Sequence, residues 1–172
     1  MIRRHVILVG LPGAGKTTVG HLVAAALGAE FVDLDEAIER AAGKSVPRIF
    51  AEDGEAAFRR LEAEVGAAAL RAAPAVVAPG GGFLASEGAR RLARASGLVV
   101  YLETDAAEAA RRLGGAAGRP LLEGDPERNM TLLLEARGPL YRESECAVET
   151  TGAAPEAVAR SVVSLARARA GW

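Results

Sequence analysis

The sequence predicts a three-layer α/β domain built on a parallel sheet, and three observations predict it. Short β-branched, apolar runs alternate along the chain with longer stretches of helical periodicity, and strands separated by helices pair in parallel through right-handed crossovers. The first run, His5–Val9, leads straight into Gly10-Leu11-Pro12-Gly13-Ala14-Gly15-Lys16-Thr17, a glycine-rich loop of the pattern G-x-x-x-x-G-K-[ST]. The 172 residues, 50% hydrophobic and 25% charged, suit one soluble domain with a full core.

The elements follow in order. Beyond the loop, Thr18 to Leu27 reads as a helix that begins near Lys16 and stops at Gly28, a residue suited to the left-handed position past a helix end. Glu30 to Leu34 is a second short strand that ends in acid. The next helix runs through Ala37 to Arg40 and stops at Gly43, and Ser45 caps a short segment through Ile49 and Phe50. A longer helix from near Glu55 to Arg71 places Phe58, Leu61, Val65 and Leu70 on one face. Pro74 closes that region, and Ala75 to Ala78 is a buried strand that enters Gly80-Gly81-Gly82. Ser86 to Arg94 is helical, Leu98 to Leu102 is the most β-like run, and Asp105 caps a helix through Arg112. Gly114 to Pro120 is too loose for core. Pro126 starts a helix to Arg137, Cys146 to Thr150 is the last strand, and a helix rich in Ala, Val and Leu follows Pro155. No fixed-period repeat is present.

Composition narrows the partners. A net charge of −1 gives no general attraction to nucleic acid or to an anionic membrane. No apolar run approaches the roughly 18 to 20 residues needed to cross a bilayer. The stretch before the first strand is too short for a secretory signal. Cys146 is the only cysteine, which suits a reducing cytoplasm, and its strand context makes it a small buried apolar residue rather than a nucleophile. His5 and His21 have no accompanying cluster of metal ligands and are read as structural.

The glycine-rich loop carries the first chemistry. Its glycines let backbone N–H groups turn inward around phosphates, Lys16 sets a compact charge on the outer phosphates, and the Thr17 hydroxyl can ligate Mg²⁺. A helix starting near Lys16 aims its positive end at the same anion. Of 21 basic residues only Lys16 and Lys44 are lysine, so lysine stands at the one place where a planar fork would not fit. The loop makes the chain a nucleoside-triphosphate binder. Asp33 and Asp35 flank Leu34 at the carboxyl end of the second strand, the edge where open parallel sheets bind ligands. Two carboxylates there could divide the work between a metal and a hydroxyl to be activated; a helix N-cap explains one of them but not both. Gly80-Gly81-Gly82 suggests close backbone approach to a ligand. Arg59, Arg119 and Arg137 are uninformative singly, because arginine is abundant.

Taken together and in order, these pieces resemble shikimate kinase over essentially the whole chain. The matching pieces are the loop with Thr18-Val19-Gly20, Asp33-Leu34-Asp35, Ile38-Glu39, Gly43-Lys44-Ser45 and Ile49-Phe50. They continue with Gly54-Glu55, Phe58-Arg59, Glu62, Gly80-Gly81-Gly82, Arg119-Pro120-Leu121-Leu122, and Arg137 before Pro139-Leu140-Tyr141. The loop is shared by many families; the ordered set is specific.

The resemblance implies a P-loop kinase fold of the nucleoside-monophosphate-kinase type. It has a five-stranded parallel sheet of order 2-3-1-4-5, a substrate-binding helical region at about 35–62, and a mobile lid at about 114–125, all within a single domain, 1–172. It implies transfer of the ATP γ-phosphoryl to the 3-hydroxyl of shikimate with Mg²⁺, in the route to aromatic amino acids. On the family pattern Asp35 contacts shikimate and is the base, while Asp33 reaches Mg²⁺ through water and Thr17 ligates it. Arg59 and Arg137 hold the carboxylate, and Gly80 and Gly81 contact the ring substituents. Gly13, Ala14, Gly15, Lys16, Thr17 and Thr18 bind ATP, Arg112 lies near the adenine, and Arg119 in the lid acts on the transferring phosphoryl. A cytoplasmic monomer acting on small molecules, with no nucleic-acid or membrane partner, completes the expectation. Pro47, Pro79, the wording of 127–135 and the Ala153-Ala154-Pro155 turn depart from the pattern without touching the chemistry.

Two rivals fit less well. A gluconate or nucleotide kinase on this fold has no reason to place arginines at both Gly-Glu-x-x-Phe-Arg and Arg-x-Pro-Leu-Tyr. A GTPase switch needs an Asn-Lys-x-Asp run, which is absent, and a silent binding module would have lost Lys16, Asp35 or Arg119.

Overall fold

The computed structural model describes residues 2–114 and 124–172. Five strands, β1 (His5–Val9), β2 (Phe31–Asp33), β3 (Val76–Ala78), β4 (Gly97–Glu103) and β5 (Cys146–Glu149), form one parallel sheet in the order β2-β3-β1-β4-β5. That is the expected order. Among the described residues the helices are α1 (Lys16–Leu27), α2 (Leu34–Ala42), α3 (Val46–Glu52), α4 (Gly54–Arg71), α5 (Glu87–Ser96), α6 (Ala106–Leu113), α7 (Pro126–Arg142) and α8 (Pro155–Arg169), with a 3₁₀ turn at Phe83–Ala85.

Alternate residues of each strand point to opposite faces, so a sheet covered on both sides needs apolar residues at every position. The three central strands, β1, β3 and β4, meet that demand at nearly every position. Val6 and Leu8 of β1, with Val76, Leu98, Val100 and Leu102, pack against Val19 and Val23 of α1 and Val158 and Val162 of α8. Ile7 and Val9, with Val77, Val99 and Tyr101, pack on the opposite face with Ile38, Phe58, Leu70, Ala93, Met130 and Tyr141. Two cores, one on each face, fix the sheet. All five strands therefore release their loops at one carboxyl edge.

Several boundaries differ from expectation for local reasons. Leu34 opens α2 instead of closing β2, because the Asp33 side chain caps that helix and accepts from the Asp35 and Glu36 N–H groups at 3.0 and 3.4 Å. Helix α7 runs through Pro139 to Arg142, past the expected end at Arg137. Proline removes a bond to residue 135, but both residues lie on the exposed side, where water can serve the freed carbonyl. Cys146 is half-buried on the edge strand rather than buried, and its Sγ takes Arg169 Nη1 at 2.8 Å. His5 is buried and structural as expected: its Nδ1 accepts the Ala75 N–H at 3.1 Å, and burial pushes its pKa down.

Candidate active site

The loop after β1 is pinned from both sides of the sheet. Leu11 is buried in one core and Ala14 in the other. Between them the backbone runs so close to its neighbours that a methyl at Gly13 would lie 2.5 Å from the Ala109 carbonyl oxygen. Gly15, at φ 93°, caps α1 in the left-handed region that only glycine adopts freely. The loop is thus a fixed cradle at a helix N-terminus. Lys16 Nζ donates to the carbonyl oxygens of Gly10 and Leu11, both at 2.9 Å, which folds the ammonium over the loop. Thr17 Oγ1 donates to Asp33 Oδ2 at 3.0 Å, so the helix start is joined to the end of β2.

From this cradle a cavity of about 650 Å³ opens along the carboxyl edge. Lys16, Thr17, Asp33, Asp35, Gly80 and Gly81 line it, together with Pro12, Val46 and Pro47. Solvent reaches Asp35 along this cleft, yet protein surrounds its carboxyl on most sides. That burial raises its pKa first, the nearby carboxylates of Asp33, Glu62 and Glu39 raise it further, and Lys16 opposes them.

Side chains from three helices, α2, α4 and α7, meet the Gly80-Gly81-Gly82 turn. A methyl built at Gly80 would sit 2.9 Å from Asp35 Oδ1 and 3.3 Å from Glu62 Oε1. At Gly81 it would sit 2.8 Å from Arg137 Nη1, and at Gly82 it would sit 2.6 Å from Arg59 Nη1. The glycines are there because α2, α4 and α7 bring an acid and two guanidinium groups down onto the backbone. Arg59 is held by the buried Glu62, which accepts from Nη1 at 2.7 Å. Glu62, quoted in the sequence pattern but given no role there, is one residue that sequence reasoning missed. A carboxylate three residues after an arginine on a helix was the available signal.

A second cavity of about 660 Å³ lies on the other side of the loop, lined by Gly13, Gly15, Thr18, Arg112, Ala153 and Pro155 among others. Arg112 Nε donates to Glu108 at 2.9 Å and its Nη2 to the Thr150 carbonyl at 2.6 Å. Glu108 is held at a pKa of about 2, by its bond from Arg111 first and then by Arg112. The structure therefore groups Lys16, Thr17, Asp33, Asp35, Gly80 and Gly81 in one cleft, with Arg59 and Arg137 on the same turn. Gly13, Gly15, Thr18 and Arg112 share the neighbouring cavity. Arg119 and most of the 114–125 segment lie outside the described residues.

Known proteins place this arrangement. A family model described as shikimate kinase matches residues 12–167. A shikimate kinase of Thermobifida fusca (strain YX) is 48% identical over 157 residues, covering 91% of each chain. The solved shikimate kinase of Acinetobacter baumannii, in complex with shikimate, superposes with a TM-score of 0.91 at 38% identity, over 96% of this chain and 94% of that one. A gluconokinase of Sinorhizobium meliloti 1021 superposes at 0.65 with 19% identity, over 99% of this chain and 95% of that one, and shares the fold alone.

Proposed function

The chain belongs to the shikimate kinase family, and from that premise we propose how its own residues move the γ-phosphoryl of ATP to the 3-hydroxyl of shikimate. It is a kinase that phosphorylates shikimate. The observation that carries the assignment of roles is the meeting of Asp35, Arg137 and Arg59 on one glycine turn beside the phosphate cradle.

ATP places its phosphates in the loop of Gly13, Ala14, Gly15, Lys16, Thr17 and Thr18, and its base in the cavity beside Arg112. Lys16 exchanges the Gly10 and Leu11 carbonyls for phosphate oxygens. Thr17 and Asp33 suit Mg²⁺, a cation that takes one or two protein oxygens and completes its shell with water and phosphate. When bound there, Mg²⁺ supplies charge neutralisation at the phosphates. Shikimate lies along the Gly80–Gly81 backbone. Arg59 and Arg137 grip its carboxylate, because planar forks fix direction as well as distance. Asp35 then faces the opposite side of the ring and accepts the 3-hydroxyl proton as the oxygen attacks. Burial first, and then the carboxylates around it, make Asp35 more basic than an ordinary aspartate. Arg119 takes its role at the transferring phosphoryl from sequence alone. The enzyme acts as a cytoplasmic monomer on these small molecules.

A coupled ADP-release assay across shikimate, quinate, gluconate and nucleoside monophosphates tests the reading. Release well above the ATPase background is expected with shikimate only. Comparable rates with gluconate or a nucleotide would overturn it.

A further inference from the structure

The Tyr141 hydroxyl sits where two parts of the clamp meet. Tyr141 follows Arg137 by four residues on α7, so the two side chains share a helix face. Its ring is 1% exposed and stacks on Tyr101 of β4, with centroids 5.4 Å apart. From that fixed position Oη donates to the Gly81 carbonyl oxygen at 2.9 Å. Burial raises the pKa of the phenol, while the charge of the adjacent Arg137 guanidinium draws it back down. A methyl at Gly81 would find Arg137 Nη1 at 2.8 Å and Tyr141 Oη at 3.5 Å, so fork, phenol and turn crowd one point.

A phenol can donate and accept at once. Here the proton is committed to Gly81, which leaves the oxygen's lone pair for the guanidinium. Packing accounts for the ring, since phenylalanine would stack on Tyr101 equally well. It does not account for the oxygen. Long arginine side chains lose substantial rotamer freedom when they are held, and a fork that must meet a carboxylate gains most from being held beforehand. We propose that Tyr141 is a positioning residue of the carboxylate clamp: its hydroxyl ties the Arg137 fork to the Gly81 carbonyl and so sets the fork's direction before shikimate arrives. The inference rests on Arg137 gripping the substrate carboxylate. Tyr141 itself does not touch the substrate. It contributes through Arg137, and only while Arg137 is present.

The test is a double-mutant cycle read as KM and kcat for both substrates. Tyr141→Phe removes one oxygen and keeps the stack, so the variant stays folded by thermal melt. It should raise KM for shikimate about 2- to 12-fold, the net scale of one ordinary hydrogen bond, since Tyr141 acts only through Arg137. KM for ATP should be unchanged, and kcat nearly so. In an Arg137→Ala background the same change should cost nothing more, whereas in Arg59→Ala it should keep its full effect. Tyr101→Phe, which takes the oxygen from the other ring of the stack, should leave KM alone. An unchanged shikimate KM in Tyr141→Phe, or an equal cost in both backgrounds, overturns the positioning role and leaves the clamp standing. If Arg137→Ala alone leaves the shikimate KM unchanged, the clamp reading fails and takes this inference with it.

Discussion

Asp35 is the proposed base, and its surroundings bear on that role. Burial, then Asp33, Glu62 and Glu39, raise its pKa, and Lys16 holds it back. An acid with a raised folded pKa keeps its proton to higher pH than in the unfolded chain. Its charged form therefore costs stability above that pKa, a cost relieved as pH falls through it. That cost is what a base positioned between carboxylates entails, and it has a kinetic signature. The acid limb of kcat/KM for shikimate should lie above the ordinary aspartate range, because activity waits for Asp35 to lose its proton. Asp35→Asn should lower the rate by about 10²-fold or more, the usual scale for a general base, and the residual rate should lose that limb. Its melting temperature at neutral pH should hold or rise, since a like-charge contact has gone. A full pH–rate series on both proteins checks this; near-normal turnover in Asp35→Asn with the limb in place contradicts the assignment. The neighbouring Asp33 has a different task, since it caps α2 and holds the Thr17 hydroxyl in one geometry.

At the scale of elements, the Gly80–Gly82 turn separates the needs of folding from those of function. The added methyl of Gly81→Ala would press on Arg137 Nη1 at 2.8 Å, the far end of a flexible side chain that can swing away. The fold should survive with little change in melting temperature, while the shikimate KM rises. Gly66→Ala offers the contrast, because its methyl would lie 2.5 Å from the Phe83 ring inside the core. Overpacking of that kind costs about 1–3 kcal/mol, so this variant should melt earlier. Melting curves and kinetics on the pair check both halves, and equal loss of stability in the two would remove the distinction. The turn also shows what sequence can and cannot carry. The phosphate loop and the buried strands were legible because their residue types are dictated locally, by positive φ and by two-sided burial. The triple glycine was legible only as a place of close approach. What approaches it comes from residues 35, 59 and 137, and no local rule joins them without the resemblance. Glu62 and Tyr141 stayed unread for the same reason: an acid and an aromatic on helices are ordinary until the fold puts them against Arg59, Arg137 and Gly81. The end of α7 was misplaced because Pro139 breaks helices in general, but less so where its orphaned carbonyl faces water.

At the scale of the whole molecule, the site is made by convergence. Arg59 arrives on α4 and Arg137 on α7, and the glycine turn that receives both follows β3. Two cores, one on each face of the sheet, hold these elements in a fixed relation, and the phosphate cradle stands at the same edge. Such a frame can hold the far carboxylate of a small ring with two forks while the hydroxyl on its other side faces the γ-phosphorus, and orientation is most of what a protein contributes to phosphoryl transfer. The direct measurement is kcat/KM for shikimate beside that for its carboxamide, in the wild type and in Arg59→Ala and Arg137→Ala. Each charged hydrogen bond is worth roughly 1.5 to 3 kcal/mol, so the wild type should prefer the acid, and each variant should lose about 10- to 150-fold on the acid with little change on the carboxamide or in ATP binding. If the wild type uses the carboxamide as well as the acid, the two arginines do not grip a carboxylate and the account is wrong.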